Sequence, residues 1–97
     1  MTGYVTVNEI IPGDYLGEQC IIGNGKSQEA CVPKNTHRAV VGAEGGPVFV
    51  AVNRKASPLS GTHVPKNGMR VVGPYNNMNS LGVWARWPTT AHIAYGS

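Results

Sequence analysis

The sequence predicts an all-β protein, a small antiparallel β-sandwich or barrel with an internal two-fold repeat and little or no helix. Three observations lead there. The segment Val32 to Arg54, VPKNTHRAVVGAEGGPVFVAVNR, is echoed by Val64 to Arg86, VPKNGMRVVGPYNNMNSLGVWAR, so a turn, a strand, a Gly/Asn-rich loop and a second strand occur twice. Repeats of this kind supply halves of a shared core. The 13 Gly and 7 Pro are spread so evenly that the longest run without either is Val48 to Ser57, too short for an ordinary helix of about 11 or 12 residues. Short apolar runs bounded by turn residues recur at intervals near ten residues, the spacing of sandwiches and small barrels.

The elements follow in order. Tyr4 to Val7 alternates as a strand does and is stopped by Pro12-Gly13. Cys20-Ile21-Ile22 forms a second strand before the turn Gly23-Asn24-Gly25. Arg38 to Gly42 and Pro47 to Val52 are expected as a hairpin across Ala43 to Gly46, where glycine supplies the positive φ of a tight loop. Met69 to Gly73 and Leu81 to Trp87 repeat that arrangement, and Ala91 to Tyr95 closes the chain. Pro33 and Pro65 belong at turns or strand beginnings, because proline has no N–H for a central ladder. The expected core is Ile21, Ile22, Val40, Val41, Val48, Phe49, Val50, Val52, Val71, Val72, Leu81, Val83 and Trp84.

Ninety-seven residues make a single domain spanning 1–97. Charged residues are 13% of the chain, about half the usual ~25%, and a surface so poor in charge favours an oligomer or an assembly component. All five acids lie in the first 44 residues, whereas residues 45 to 97 hold five basic residues and no acid. This asymmetry suits head-to-tail association or an anionic partner, unless it is a chance bias. The segment MTGYVTVNEI lacks a basic region and an apolar run, so no signal peptide or membrane insertion is expected. The compartment stays open between cytosolic, virion-associated and mature secreted forms. Cys20 and Cys31 flank the Gly23-Asn24-Gly25 turn and could form a disulfide if it closes a hairpin; buried free thiols and an intermolecular link are the alternatives.

No catalytic set is apparent. A nucleophile, base and carboxylate are not grouped in sequence around His37, His63 or His92, and the sole Asp, Asp14, sits in a Pro-Gly-Asp turn. Cys20, Cys31, His37 and His63 lack the close ligand spacing of zinc sites. The glycine-rich loops precede no helix that could cradle phosphate, and nucleic acid is an improbable partner. Neither cofactor nor metal is expected. Trp84-Ala85-Arg86-Trp87 invites a binding role: on a strand Trp84 and Arg86 share a face and Trp87 turns to the other. Packing of both tryptophans in the core is the competing reading.

The Val-Pro-x-Asn turn, Val-Val-Gly strand, Gly/Asn loop and strand ending in Arg resemble the DM9 repeat of small lectins and natterin-type toxins. Ile11-Pro12-Gly13, Cys20-Ile21-Ile22 and Gly23-Asn24-Gly25-Lys26 resemble other portions of that repeat, and the similarity covers most of residues 10 to 87. Here Pro-Gly-Lys becomes Pro-Gly-Asp14, and Lys26 alone keeps the family's basic residue. The resemblance implies a pseudo-symmetric β-lectin that binds mannose-type glycans without metal. The expected function is therefore a non-enzymatic carbohydrate-binding domain. One surface would comprise Tyr75, Asn76, Asn77 and Asn79 with Arg86 and Trp87, and its counterpart Glu44, Asn53 and Arg54. The alternative is a self-assembling structural protein, such as a virion decoration, capsid or tail component, whose partners are further subunits; an enzyme or secreted inhibitor is the third.

Overall fold

The computed structural model describes residues 14–97. The strand expected at Tyr4 to Val7 lies outside the described residues. Within them are eight strands and no helix: β1 (Tyr15–Ile22), β2 (Ser27–Ala30), β3 (Arg38–Glu44), β4 (Val48–Val52), β5 (Thr62–Val64), β6 (Met69–Val72), β7 (Leu81–Ala85) and β8 (Thr90–Gly96). They form two four-stranded antiparallel sheets, β1-β8-β3-β6 and β2-β7-β4-β5, packed as a small sandwich that does not close into a barrel.

Alternation builds the core. In the first sheet Ala39, Val41 and Ala43 of β3 and Ala91, Ile93 and Tyr95 of β8 face inward; in the second, Val48 and Val50 of β4 and Leu81, Val83 and Ala85 of β7 meet them. Val40 and Ala94 belong to the opposite face and are nonetheless inaccessible. Val71 and Ile22, expected in the core, are exposed, and Phe49 and Trp84 lie half-buried on the outer face of the second sheet. The reason is period two: Val71 neighbours the inward Val72, and Phe49 and Trp84 neighbour the inward Val50 and Val83.

The two repeat copies are β3–β4 and β6–β7. Each passes from the first sheet to the second, and each strand pairs with its counterpart: Val40 with Val71, Val50 with Val83. Both Val-Pro-Lys-Asn segments make the same turn, with Asn35 at φ 67° and Asn67 at φ 60°. Asparagine is suited to that left-handed conformation, and the prolines sit ahead of it, outside any strand.

The expected hairpins do not form. β3 and β4 lie in different sheets, as do β6 and β7, so the Gly45–Pro47 link crosses the sandwich. Of consecutive strands only β4 and β5 pair with each other. The same crossing separates the cysteines: Cys20 is on β1 of the first sheet and Cys31 follows β2 of the second, and both are free, exposed thiols.

Candidate functional site

Antiparallel pairing decides which candidate residues meet. Because β4 and β7 run in opposite directions, the start of β4 lies beside the end of β7, with Val48 opposite Ala85 and Val52 opposite Leu81. Arg86 and Trp87 therefore adjoin the Gly45–Pro47 link, whereas Asn53 and Arg54 adjoin Asn79 and Ser80. The Asn-rich loop and Trp87 lie at opposite ends of β7, about 15 Å apart at 3.3 Å per residue. The grouping expected from the sequence is thus exchanged between the two copies.

At the Trp87 end, one register row crosses the outer face of the second sheet: His63 opposite Phe49, Phe49 opposite Trp84, Trp84 opposite Ser27. Phe49 meets Trp84 edge-on, centroids 5.9 Å apart at 67°, and lies 5.1 Å from the His63 ring. Arg86, two residues beyond Trp84 on the same face, holds its guanidinium 5.6 Å from the Trp84 ring centroid. Cation–π pairing of this kind is worth about 0.5–1 kcal/mol at exposed sites. The Phe49 and Trp84 rings floor a cleft of about 440 Å³ walled by Gly45, Gly46, Pro47, Pro58, Trp87 and Pro88. Its size suits a small ligand. Trp87 stands on the rim with 76% of its surface exposed. Gly46 permits the wall, since a Cβ there would collide with Oγ1 of Thr89.

At the other end, Asn53 is a staple. In the left-handed conformation at φ 58°, it donates from Nδ2 to the carbonyl of Asn77 and accepts at Oδ1 from the amides of Asn79, 2.8 Å, and Ser80, 3.0 Å. Its side-chain amide is spent on the loop it was expected to mirror. Asn53 and Arg54 line a smaller cleft of about 240 Å³ with Ser27, Glu29 and Ser80. Asn76, Asn77 and Asn79 face the Val32–His37 turn across a polar cleft of about 340 Å³, and Tyr75 is exposed beside them.

Glu44 meets neither aromatics nor Asn53. Its Oε1 lies 2.8 Å from Nε2 of His92, whose Nδ1 lies 3.3 Å from Sγ of Cys20. This chain of three side chains runs across β3, β8 and β1 on the outer face of the first sheet. It escaped the sequence because Cys20 and His92 are 72 residues apart and His92 and Glu44 are 48 apart. Among the described residues no three His, Cys, Asp or Glu side chains converge as metal ligands.

Comparison of the chain with protein-family models, curated proteins and solved structures returns no match.

Proposed function

We propose that this protein is a non-enzymatic binding domain that takes a saccharide in the cleft of Phe49, Trp84, Arg86 and Trp87. One observation carries the reading: a nearly bare tryptophan stands beside a floor of rings with an exposed guanidinium at its edge. An aromatic face covers the apolar C–H face of a pyranose, and a planar set of donors meets adjacent hydroxyls. The resemblance of the repeats to DM9 lectins belongs to the same reading and suggests mannose-type glycans. By strand position the first copy carries Ala51 and Arg54 where the second has Trp84 and Trp87, so we assign one aromatic site, not two.

A single site of this kind binds near millimolar, about −4 kcal/mol, and gains through multivalent display. Titration with mono- and multivalent mannosides, followed by tryptophan emission, tests it. The expected result is a saturable change that Trp87→Ala and Arg86→Ala abolish while the fold persists. No response to any glycan, with both variants indistinguishable from the parent, refutes the proposal.

A second reading, self-assembly through the first sheet, is favoured by Ile22, Met69 and Val71, which leave 60%, 41% and 51% of their surface exposed on one outer face. Sedimentation as a discrete oligomer without glycan binding would establish it in place of the first.

A further inference from the structure

The Cys20–His92–Glu44 chain has the connectivity of an activated thiol. Register makes it: Cys20 pairs with His92 across β1 and β8, and on the other side of β8 Glu44 pairs with Thr90, one outward position from His92. The Glu44 carboxylate can only accept, so His92 Nε2 carries the hydrogen of the 2.8 Å bond. In the neutral ring Nδ1 is then the acceptor, 3.3 Å from the Cys20 thiol. Here is a nucleophile beside a base, with the base oriented by a third group. His92 and Glu44 keep 23% and 40% of their side-chain surface accessible, and Cys20 is exposed.

The sheet also restricts what such a thiol can attack. Acyl transfer needs donors aimed at a developing oxyanion. The N–H groups of β8 lie in the plane of the sheet, taken up by ladders to β1 and β3, and none points outward at Cys20. Attack on a disulfide generates no oxyanion and needs only a base and a departing thiolate.

We propose that Cys20 is a site of thiol–disulfide exchange with low-molecular-weight disulfides, with His92 as its general base and Glu44 as the positioning residue. Sγ attacks one sulfur of R–S–S–R as its proton passes to Nδ1. The new bond joins Cys20 to one RS group, the old S–S bond breaks, and the departing RS⁻ takes the proton from His92 to leave as R–SH. Cys20 is oxidised and the departing sulfur is reduced. Burial, and then the carboxylates of Glu18 and Glu44, push the Cys20 thiol above its ordinary range. The resting group is therefore the protonated thiol, and transfer to His92 has to accompany attack.

The test uses the full chain carrying Cys31→Ser, so that Cys20 is the sole thiol, reacted with 4,4′-dithiodipyridine and with oxidised glutathione. His92→Ala is expected to slow the reaction at neutral pH by about a hundred-fold, the low side of what a positioned base supplies. The parent reaction should slow in D2O, as proton transfer in the rate-determining step requires, and His92→Ala should lose that effect. Glu44→Gln, which keeps a hydrogen-bonding partner for His92 while removing the charge, should give an intermediate rate and serves if His92→Ala does not fold. Cys20→Ser, with Cys31 as the remaining thiol, supplies the reference. The proposal is overturned if Cys20 reacts no faster than Cys31, or if neither His92→Ala nor Glu44→Gln slows it.

Discussion

Replacing Asn53 separates a residue that holds the fold from one that touches a ligand. Its side chain makes three hydrogen bonds, to the carbonyl of Asn77 and from the amides of Asn79 and Ser80. At the exposed end of about 0.5–1 kcal/mol each, these sum to about 1.5–3 kcal/mol. Alanine at φ 58° adds about 1 kcal/mol of left-handed strain, so Asn53→Ala is expected to cost about 2.5–4 kcal/mol. Glycine loses the same bonds without the strain. Aspartate keeps the two accepted bonds and loses the donated one, for about 1 kcal/mol. The expected order of cost is Asp, Gly, Ala. Urea unfolding with unchanged slope measures it, and at about 1–3 kcal/mol per M the alanine midpoint should fall by about 1–4 M. If Asn53→Ala kept the parental midpoint and removed only a glycan response, the staple assignment would be wrong and Asn53 would be a ligand contact.

The loop from Asn53 to Gly61 crosses the outer face of the second sheet, and a Cβ at Gly82 would collide with the carbonyl oxygen of Arg54 and lie 2.8 Å from the amide nitrogen of Ala56. Both are backbone atoms, so Gly82→Ala should destabilise by about 1–3 kcal/mol in the same urea assay, and an unchanged midpoint would show that the loop is not seated there. Tyr95 is buried, donates to Oε1 of Gln19 at 3.2 Å, and has its phenol pushed up to about 12, first by burial and then by the Cys31 thiol. A raised phenol gives stability that is complete below the unfolded value near 10 and is lost as pH climbs through the folded value. That rise corresponds to about 3 kcal/mol, lost between about pH 10 and 12, and Tyr95→Phe should flatten that limb of the stability profile.

What the sequence made legible was local. Val-Pro-Lys-Asn encodes a turn through proline's fixed φ and asparagine's tolerance of positive φ, and both copies adopt it. Short apolar runs bounded by turn residues marked most of β3, β4 and β7, and alternation marked β8. Which sheet each strand joins was not legible, because a turn of Gly, Gly and Pro serves a hairpin and a crossing link equally well. The choice between them lies with partners far along the chain, β8 for β3 and β7 for β4. The short strands β2 and β5 carry mostly polar residues, so no apolar alternation announces them. Trp84 was attractive as core by size alone, yet its place between the inward Val83 and Ala85 puts it outside. Cys20, His92 and Glu44 are likewise joined only by sheet register.

The two copies share their turn and strand order and differ in what closes the loop beside their second strand. By their strand ends Asn53 and Arg86 occupy equivalent positions, each directly after the last residue of its second strand, Val52 of β4 and Ala85 of β7. In the first copy a side chain closes the neighbouring loop. In the second, the Arg86 side chain lies over the Trp84 ring, and backbone does the closing: the amide of Gly25 donates to the carbonyl of Ala85, and that of Thr89 to Arg86, each at 2.8 Å. Gly23 packs so near that a Cβ would stand 2.6 Å from the carbonyl of Arg86. Because backbone and glycine make the closure there, the following side chains carry none of it, and Arg86 and Trp87 are left exposed over the Phe49 and Trp84 rings. Side chains at that end can change without loss of the closure, while at the Asn53 end substitution would open a loop.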